Sequence, residues 1–243
     1  MLAPFWIPSH VYVVATHDGV IFLDLKADQY LSLPLGQARL LTSVVKDWPS
    51  ATYLVTESIT TAKHDDPEQL ARLLVDRGLL TQDPSQEKSA CFTPLRKNPT
   101  LLSLDVDEDD LPRVSFRDIW HFVAASISAT LQLRFRSLDS IVSRVAARKR
   151  RAMNRRVEFD AKSAAQHIEA FRRMRPYAFT VNGHCMFHTL VLLNFLARYD
   201  CFPTWVLGVK SSPFAAHSWV EQDSLVLDST PEEVCFFTPI LTV

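Results

Sequence analysis

Over residues 185–198 the chain is apolar nearly all the way round a helical wheel, with Met186, Phe187, Leu190, Val191, Leu193, Phe195 and Leu196 spread over every face. A helix without a polar face cannot lie on a surface; it belongs in the middle of a domain, with other elements packed around it. The residues after it read as strands, at 204–209, 218–221 and 225–227, and the long stretch from Phe116 to Arg175 has helical periodicity. In that stretch Ile119, Trp120, Val123, Ile127 and Leu131 share one face, followed by Ile141, Val142 and Val145, then Ile168, Phe171 and Met174. These faces are expected to close a core over the central helix, which makes residues 115–243 one domain.

The first 83 residues have a different grain. Residues 11–15 are β-rich, Asp18-Gly19 signals a turn, residues 20–23 follow as a second strand, and 27–29 is a second turn before 30–33. This is a three-stranded meander. Three helices are expected after it, at 38–45, more weakly at 51–58, and at 66–77. The last has Asp66 as cap, Pro67 at its first position, Leu70, Leu73 and Leu74 inward, and Gly78 where a C-cap belongs. Strands followed by helices make a small α+β domain. Residues 84–114, with Pro84, Pro94, Pro99 and Pro112 and an acidic run at 105–110, read as a linker.

Several function classes are excluded early. The chain has five glycines (Gly19, Gly36, Gly78, Gly183 and Gly208), none spaced as in a P-loop or a G-x-G-x-x-G turn. No G-x-S-x-G, HExxH or CxxC motif occurs. A formal charge of −1 gives no global pull toward nucleic acid or an anionic membrane. No apolar run reaches the length of a membrane span, and the N-terminus lacks the basic region of a secretory signal, so a cytoplasmic protein with reduced cysteines is expected.

Chemistry concentrates near the C-terminus. The strands at 216–221 and 224–228 flank Gln222-Asp223; a two-residue turn there sets Glu221 against Ser224, Trp219 against Val226 and His217 against Asp228. Opposed residues project from the same side of a sheet, about 5 Å apart at Cβ. That would place a carboxylate beside an imidazole, where it can fix the tautomer and orient the ring. Cys185 opens the apolar helix, and a helix N-terminus favours a thiolate and can hold an oxyanion. The expectation is that Cys185 attacks an amide carbonyl, His217 shuttles the proton and Asp228 orients His217. Asn182 and the Cys185 N–H are the candidate oxyanion donors.

Blander readings stand beside these. A cysteine on an apolar helix is more often a small buried hydrophobe. His184 and His188, four apart, have the spacing of metal ligands, but no third ligand is evident, so no metal and no cofactor are expected. Cys201 reads as structural, and Cys91 and Cys235 have no identifiable partner. Residues 134–156 carry nine basic residues against Asp139. Such a run is usually a solvated helical face, with nucleic-acid binding as a minor alternative.

Taken together, Cys185 opening an apolar helix, Leu196-Ala-Arg-Tyr-Asp200, Trp205-Val-Leu-Gly-Val209 and Ala216-His-Ser-Trp-Val-Glu221 resemble the leader peptidase of lasso peptide biosynthesis. The resemblance covers about residues 115–243 and implies a transglutaminase-like, papain-like cysteine peptidase fold. The family's cysteine and histidine fall on Cys185 and His217, and its aspartate on Asp228. Many relatives carry glycine where this chain has Asp200. Residues 1–83 resemble the other half of the fused form, a winged-helix peptide-recognition domain; the signature is Asp18-Gly-Val-Ile-Phe-Leu-Asp24, Gln29-Tyr-Leu-Ser-Leu33 and Arg77-Gly-Leu-Leu80.

The resemblance implies that the leader of a lasso precursor peptide adds as a strand along Asp28, Gln29, Tyr30, Leu31, Ser32 and Leu33, with Leu70 and Leu74 lining side-chain pockets. It also implies delivery of the core peptide to an asparagine-synthetase-like, ATP-using cyclase. No ATP-binding motif is visible in this chain. A transglutaminase-like acyltransferase and a non-catalytic peptide-binding scaffold are the alternatives.

Overall fold

The computed structural model describes residues 4–49, 66–87, 114–156, 161–178, 185–222 and 225–243. The chain is mixed α+β and divides into two compact units. One is Met1–Leu95 with Val209–Ala215 and Thr238–Leu241; the other is Arg96–Gly208 with Ala216–Phe237 and Thr242–Val243.

In the first unit, strands β1 (Val11–Thr16), β2 (Gly19–Asp24) and β3 (Gln29–Pro34) form an antiparallel sheet in that order. All six residues of β2 are buried, as expected of a central strand whose two faces are both covered. Between β2 and β3 the Asp24 Oδ1 accepts from the Lys26 and Ala27 N–H groups at 2.8 and 3.1 Å. Asp28 takes a left-handed φ of 54°, and the register returns with Gln29 opposite Asp24. Helix α1 (Leu35–Leu41) and helix α2 (Pro67–Asp76) cover the sheet with Ala38, Leu41, Ala71 and Leu74. The Asp66 side chain accepts from Glu68 N at 3.1 Å, Pro67 occupies the first turn, and Gly78 leaves the helix at φ 74°. Leu73 departs from expectation: it is 56% exposed while Leu70 and Leu74 pack inward. The helix expected at 51–58 lies outside the described residues.

The second unit is built around the apolar helix. Helix α3 (Phe116–Phe135) opens on a reciprocal cap, Ser115 Oγ accepting from Asp118 N at 3.2 Å and Asp118 Oδ2 accepting from Ser115 N at 2.8 Å. Helices α4 (Leu138–Asn154), α5 (Ala161–Ala178) and α6 (Cys185–Leu196) follow. Residues 188–196 of α6 are all buried, so the wheel without a polar face does mark the centre of the domain. A second sheet has the order β6-β5-β4-β7, with β4 Thr204–Lys210, β5 Ala215–Gln222, β6 Leu225–Val226 and β7 Thr238–Thr242. Between β6 and β7 lies a short helix, α7 (Pro231–Val234). The Trp219 ring lies over Gly208 so closely that a Cβ there would sit 2.5 Å from the indole. Asp200, just past α6, has a left-handed φ of 52°, the conformation that glycine adopts freely.

The face of α3 expected to be core is exposed. Trp120 is 69% and Ile127 56% accessible, and Phe116, Ile119, Val123 and Leu131 are also open. Its buried face is Asp118, Phe122, Ala125 and Ala129 instead. The reason is steric: two fully buried alanines one turn apart let α3 approach its neighbours closely, and the larger side chains are left on the outside. Ala125→Leu is therefore expected to destabilise by about 1–3 kcal/mol through overpacking, whereas Trp120→Glu stays within about 0.5 kcal/mol. Denaturant titration of the two variants checks this, and a reversed order would contradict the assignment of faces.

The basic stretch 134–156 is also not simply a solvated face. Arg148 Nη1 donates to Asn194 Oδ1 at 3.1 Å, and Lys149 Nζ donates to Thr204 Oγ1 at 2.6 Å and to the Val243 carbonyl at 3.3 Å. Burial holds the Arg148 guanidinium below its ordinary value. These two cations are engaged inside the fold.

Candidate active site

Cys185 is the first residue of α6 and is partly exposed, in contrast to the fully enclosed turns behind it. Thr189 follows one turn later, so the two side chains leave the helix on the same face. The Thr189 hydroxyl lies 2.9 Å from the Ser218 carbonyl on β5 and 3.1 Å from Asp228 Oδ2. The face of α6 that carries Cys185 is thereby fixed against the strand that carries His217.

The β5–β6 register differs from the expected one. Glu221 pairs with Val226 and Gln222 with Leu225, and Leu227 N–H donates to the Val220 carbonyl at 2.9 Å. The pairing is displaced by two residues, leaving 223 and 224 between the paired ends. Asp228 is consequently level with Trp219, not with His217. Its Oδ1 accepts from Val220 N at 2.8 Å and its Oδ2 faces Thr189. Among the described residues no hydrogen bond joins Asp228 to His217.

The proton count at Thr189 is informative. A hydroxyl has one proton to donate, and two oxygens lie within its reach. The Ser218 carbonyl can only accept, and it is the nearer of the two. Both contacts are satisfied together if Asp228 Oδ2 carries a proton and donates it to Thr189 Oγ1. Burial pushes the Asp228 carboxyl up to about 6, against opposing contributions from Val220 N–H, Thr189 and the Arg175 charge, so it carries that proton only below about pH 6 and is a carboxylate accepting from Val220 N above it. Asp228 acts here as a hydrogen-bonded tie between β5 and α6.

His217 has other company. Its ring stacks on Trp219 at 5.9 Å between centroids, 19° from parallel, and Phe237 lies 5.2 Å away on a tilted plane. Nε2 is 3.1 Å from Ser229 Oγ and 3.9 Å from Glu233 Oε1. Burial holds the imidazole below its ordinary value, and the Glu233 charge partly offsets this. A half-buried imidazole that stays neutral at physiological pH is in the form needed to accept a proton.

The remaining expected residues fall as follows. Asn182 and His184 lie outside the described residues. His188 is buried with its Nδ1 3.4 Å from Arg175 Nη2, a cation where a metal ligand would not have one. Cys201 is buried, Cys235 is exposed with its thiol on the Glu232 carbonyl, and Cys91 lies outside the described residues. In the first unit, sheet order puts β3 at an edge. Leu33 and Leu74 are buried, Leu31 and Leu70 are partly buried against the same core, Tyr30 is half-buried, and Asp28, Gln29 and Ser32 are exposed or at the surface.

Thr189, Ser229, Glu233 and Arg175 lie around the candidate residues and were not singled out in the sequence. Thr189 did carry a signal: it is a hydroxyl four residues after Cys185, in a helix whose other polar residues are His188 and Asn194. Ser229 and Glu233 carried none, because only the true register and the turn into α7 bring them to His217.

Residues 125–242 match the family model described as Transglutaminase-like superfamily, so a domain of that superfamily is present and contains Cys185, His217 and Asp228. Members are typically cysteine peptidases or acyltransferases. No curated protein and no solved structure matches the chain. No helix among the described residues is long and apolar enough to cross a membrane.

Proposed function

We propose that the chain is a leader peptidase of a lasso peptide pathway. Its transglutaminase-like domain would cleave the leader from a ribosomally made precursor, with Cys185 as nucleophile and His217 as proton shuttle. The observation that carries this reading is the Thr189 tie from the Cys185 face of α6 to Ser218, the neighbour of His217. Asp228, through Thr189 and Val220, holds that helix and strand together. In the reaction, the Cys185 Sγ–H proton passes to His217 as sulfur attacks the scissile carbonyl. The imidazolium then gives that proton to the departing amine, and water, deprotonated by the same ring, hydrolyses the thioester.

The first unit would serve as a winged-helix peptide-recognition domain. β3 is an edge strand, and a leader added along Asp28, Gln29, Tyr30, Leu31, Ser32 and Leu33 would gain main-chain hydrogen bonds. Leu70 and Leu74 of α2 would meet the leader's side chains; Leu74 belongs to the core of the unit and Leu70 packs partly buried against it. Tethering there raises the local concentration of the scissile bond to roughly millimolar, so the peptidase need not grip its cleavage site tightly. The freed core peptide would pass to an asparagine-synthetase-like cyclase. An acyltransferase that hands the acyl group to an amine is the second reading, because the same superfamily contains both activities.

Fluorescence anisotropy with a labelled precursor peptide tests the recognition half. Tyr30→Asp combined with Leu31→Asp is expected to weaken leader binding at least about tenfold. Cleavage should remain at high peptide concentration. Unchanged affinity would remove β3 as the docking strand.

A further inference from the structure

We infer that Ser229 is the residue that positions His217 for proton transfer, with the Glu233 carboxylate behind it, and that Asp228 does not fill that role. This rests on the reading of His217 as the base for Cys185.

The argument starts from the two ring nitrogens. A base that takes a proton on Nδ1 must hold its other proton on Nε2, and that N–H needs a fixed acceptor. Nε2 has Ser229 Oγ at 3.1 Å and Glu233 Oε1 at 3.9 Å. The ring plane is set by Trp219 on one side and Phe237 on another, so the Ser229 hydroxyl fixes the remaining freedom, rotation within that plane. Both Asp228 oxygens are engaged elsewhere, on Val220 N and Thr189 Oγ1. Among the described residues, Glu233 is the charged group that acts on His217, and Arg175 acts on Asp228.

When the ring becomes an imidazolium, the Nε2–H to Ser229 bond becomes charge-assisted and stronger. Glu233 then supplies the counter-charge. Its side chain is 54% exposed, so that contribution should be screened by salt while the Ser229 contribution should not.

The test is the rate of Cys185 carboxamidomethylation by iodoacetamide from pH 5 to 10 in the full chain, read by mass spectrometry at that residue. Wild type is expected to react through a histidine-dependent limb below the range where a free thiol ionises, and His217→Ala to lose that limb. Ser229→Ala should lower the rate on that limb at least about tenfold, the worth of one hydrogen bond to a charged group, with the alkaline limb unchanged. Ser229→Thr, which keeps the hydroxyl, should restore it. A limb that persists in Ser229→Ala but vanishes in His217→Ala overturns the assignment of Ser229 and leaves the Cys185–His217 pair standing. Failure of threonine to rescue also overturns it. If wild type and His217→Ala titrate alike, the pair itself fails and the assignment falls with it.

Discussion

Replacing Cys185 by alanine is expected to lower peptide-bond cleavage by at least about 10³-fold while leaving the fold and leader binding intact. The expectation follows from position. α6 is enclosed from residue 188 onward, and Cys185 is its one cysteine, partly exposed where the helix begins. A cysteine serving only as core would be expected among the enclosed turns, where removing its sulfur would cost stability and not turnover. His217→Ala should cost a comparable factor, and the double variant should be little worse than either single one, because a nucleophile without its base and a base without its nucleophile fail at the same step. Turnover and thermal midpoint measured side by side check this. An alanine variant that unfolds early but still cuts would return Cys185 to the core.

The second large effect is on stability and concerns Asp228. An unfolded aspartate titrates near 4, and burial pushes Asp228 up to about 6 in the fold. The folded state therefore binds more protons between those values. Its stabilising contribution is complete below about pH 4 and is lost as pH rises through about 6. Two units correspond to at most about 3 kcal/mol, less whatever solvent reaches the residue. Asp228→Asn removes the titration. Its carbonyl can accept from Val220 N, and its amide can donate to Thr189 while Thr189 donates to Ser218, so every partner of the neutral acid is kept. The asparagine variant should be more stable than wild type at pH 7.5 and nearly equal to it at pH 4. Guanidinium titrations at both values measure the difference. A variant less stable than wild type at pH 7.5 would mean that the Val220 N–H and Thr189 contacts favour the carboxylate by more than burial costs it, and that the Asp228 carboxyl is not raised in the fold.

Much of this architecture is legible in the sequence, for identifiable reasons. The residue-by-residue turn chemistry of the first unit follows local rules, and Asp24, Asp66, Pro67 and Gly78 behave as those rules require. The apolar run at 185–198 announces a central helix because no surface position tolerates it. α3 is where periodicity misleads: the stripe of Trp120, Val123 and Ile127 is the stronger apolar signal, yet close packing selected the alanine side. Hydrophobicity counts side chains and cannot weigh how near two helix axes come.

The site divides in the same way. Cys185 and His217 are marked by local context, a helix start and a strand motif. The partner of His217 depends on hairpin register: the shift of two residues carries Asp228 to the level of Trp219, and Ser229, in the turn toward α7, meets the ring instead. Thr189 is visible by its spacing from Cys185, but its partners, like those of Arg175, are long-range contacts that no local pattern names.

The central claim is that Cys185 forms a thioester with the precursor and that water resolves it. The most direct measurement is intact mass spectrometry of a precursor peptide incubated with the chain in ¹⁸O-labelled water, alongside the Cys185→Ala variant. The prediction is one cleavage, with ¹⁸O in the new carboxyl terminus of the leader fragment and no product from the variant. Cleavage by the variant at the wild-type rate, or a leader fragment that ends in an amide to an added amine and carries no ¹⁸O, would contradict it.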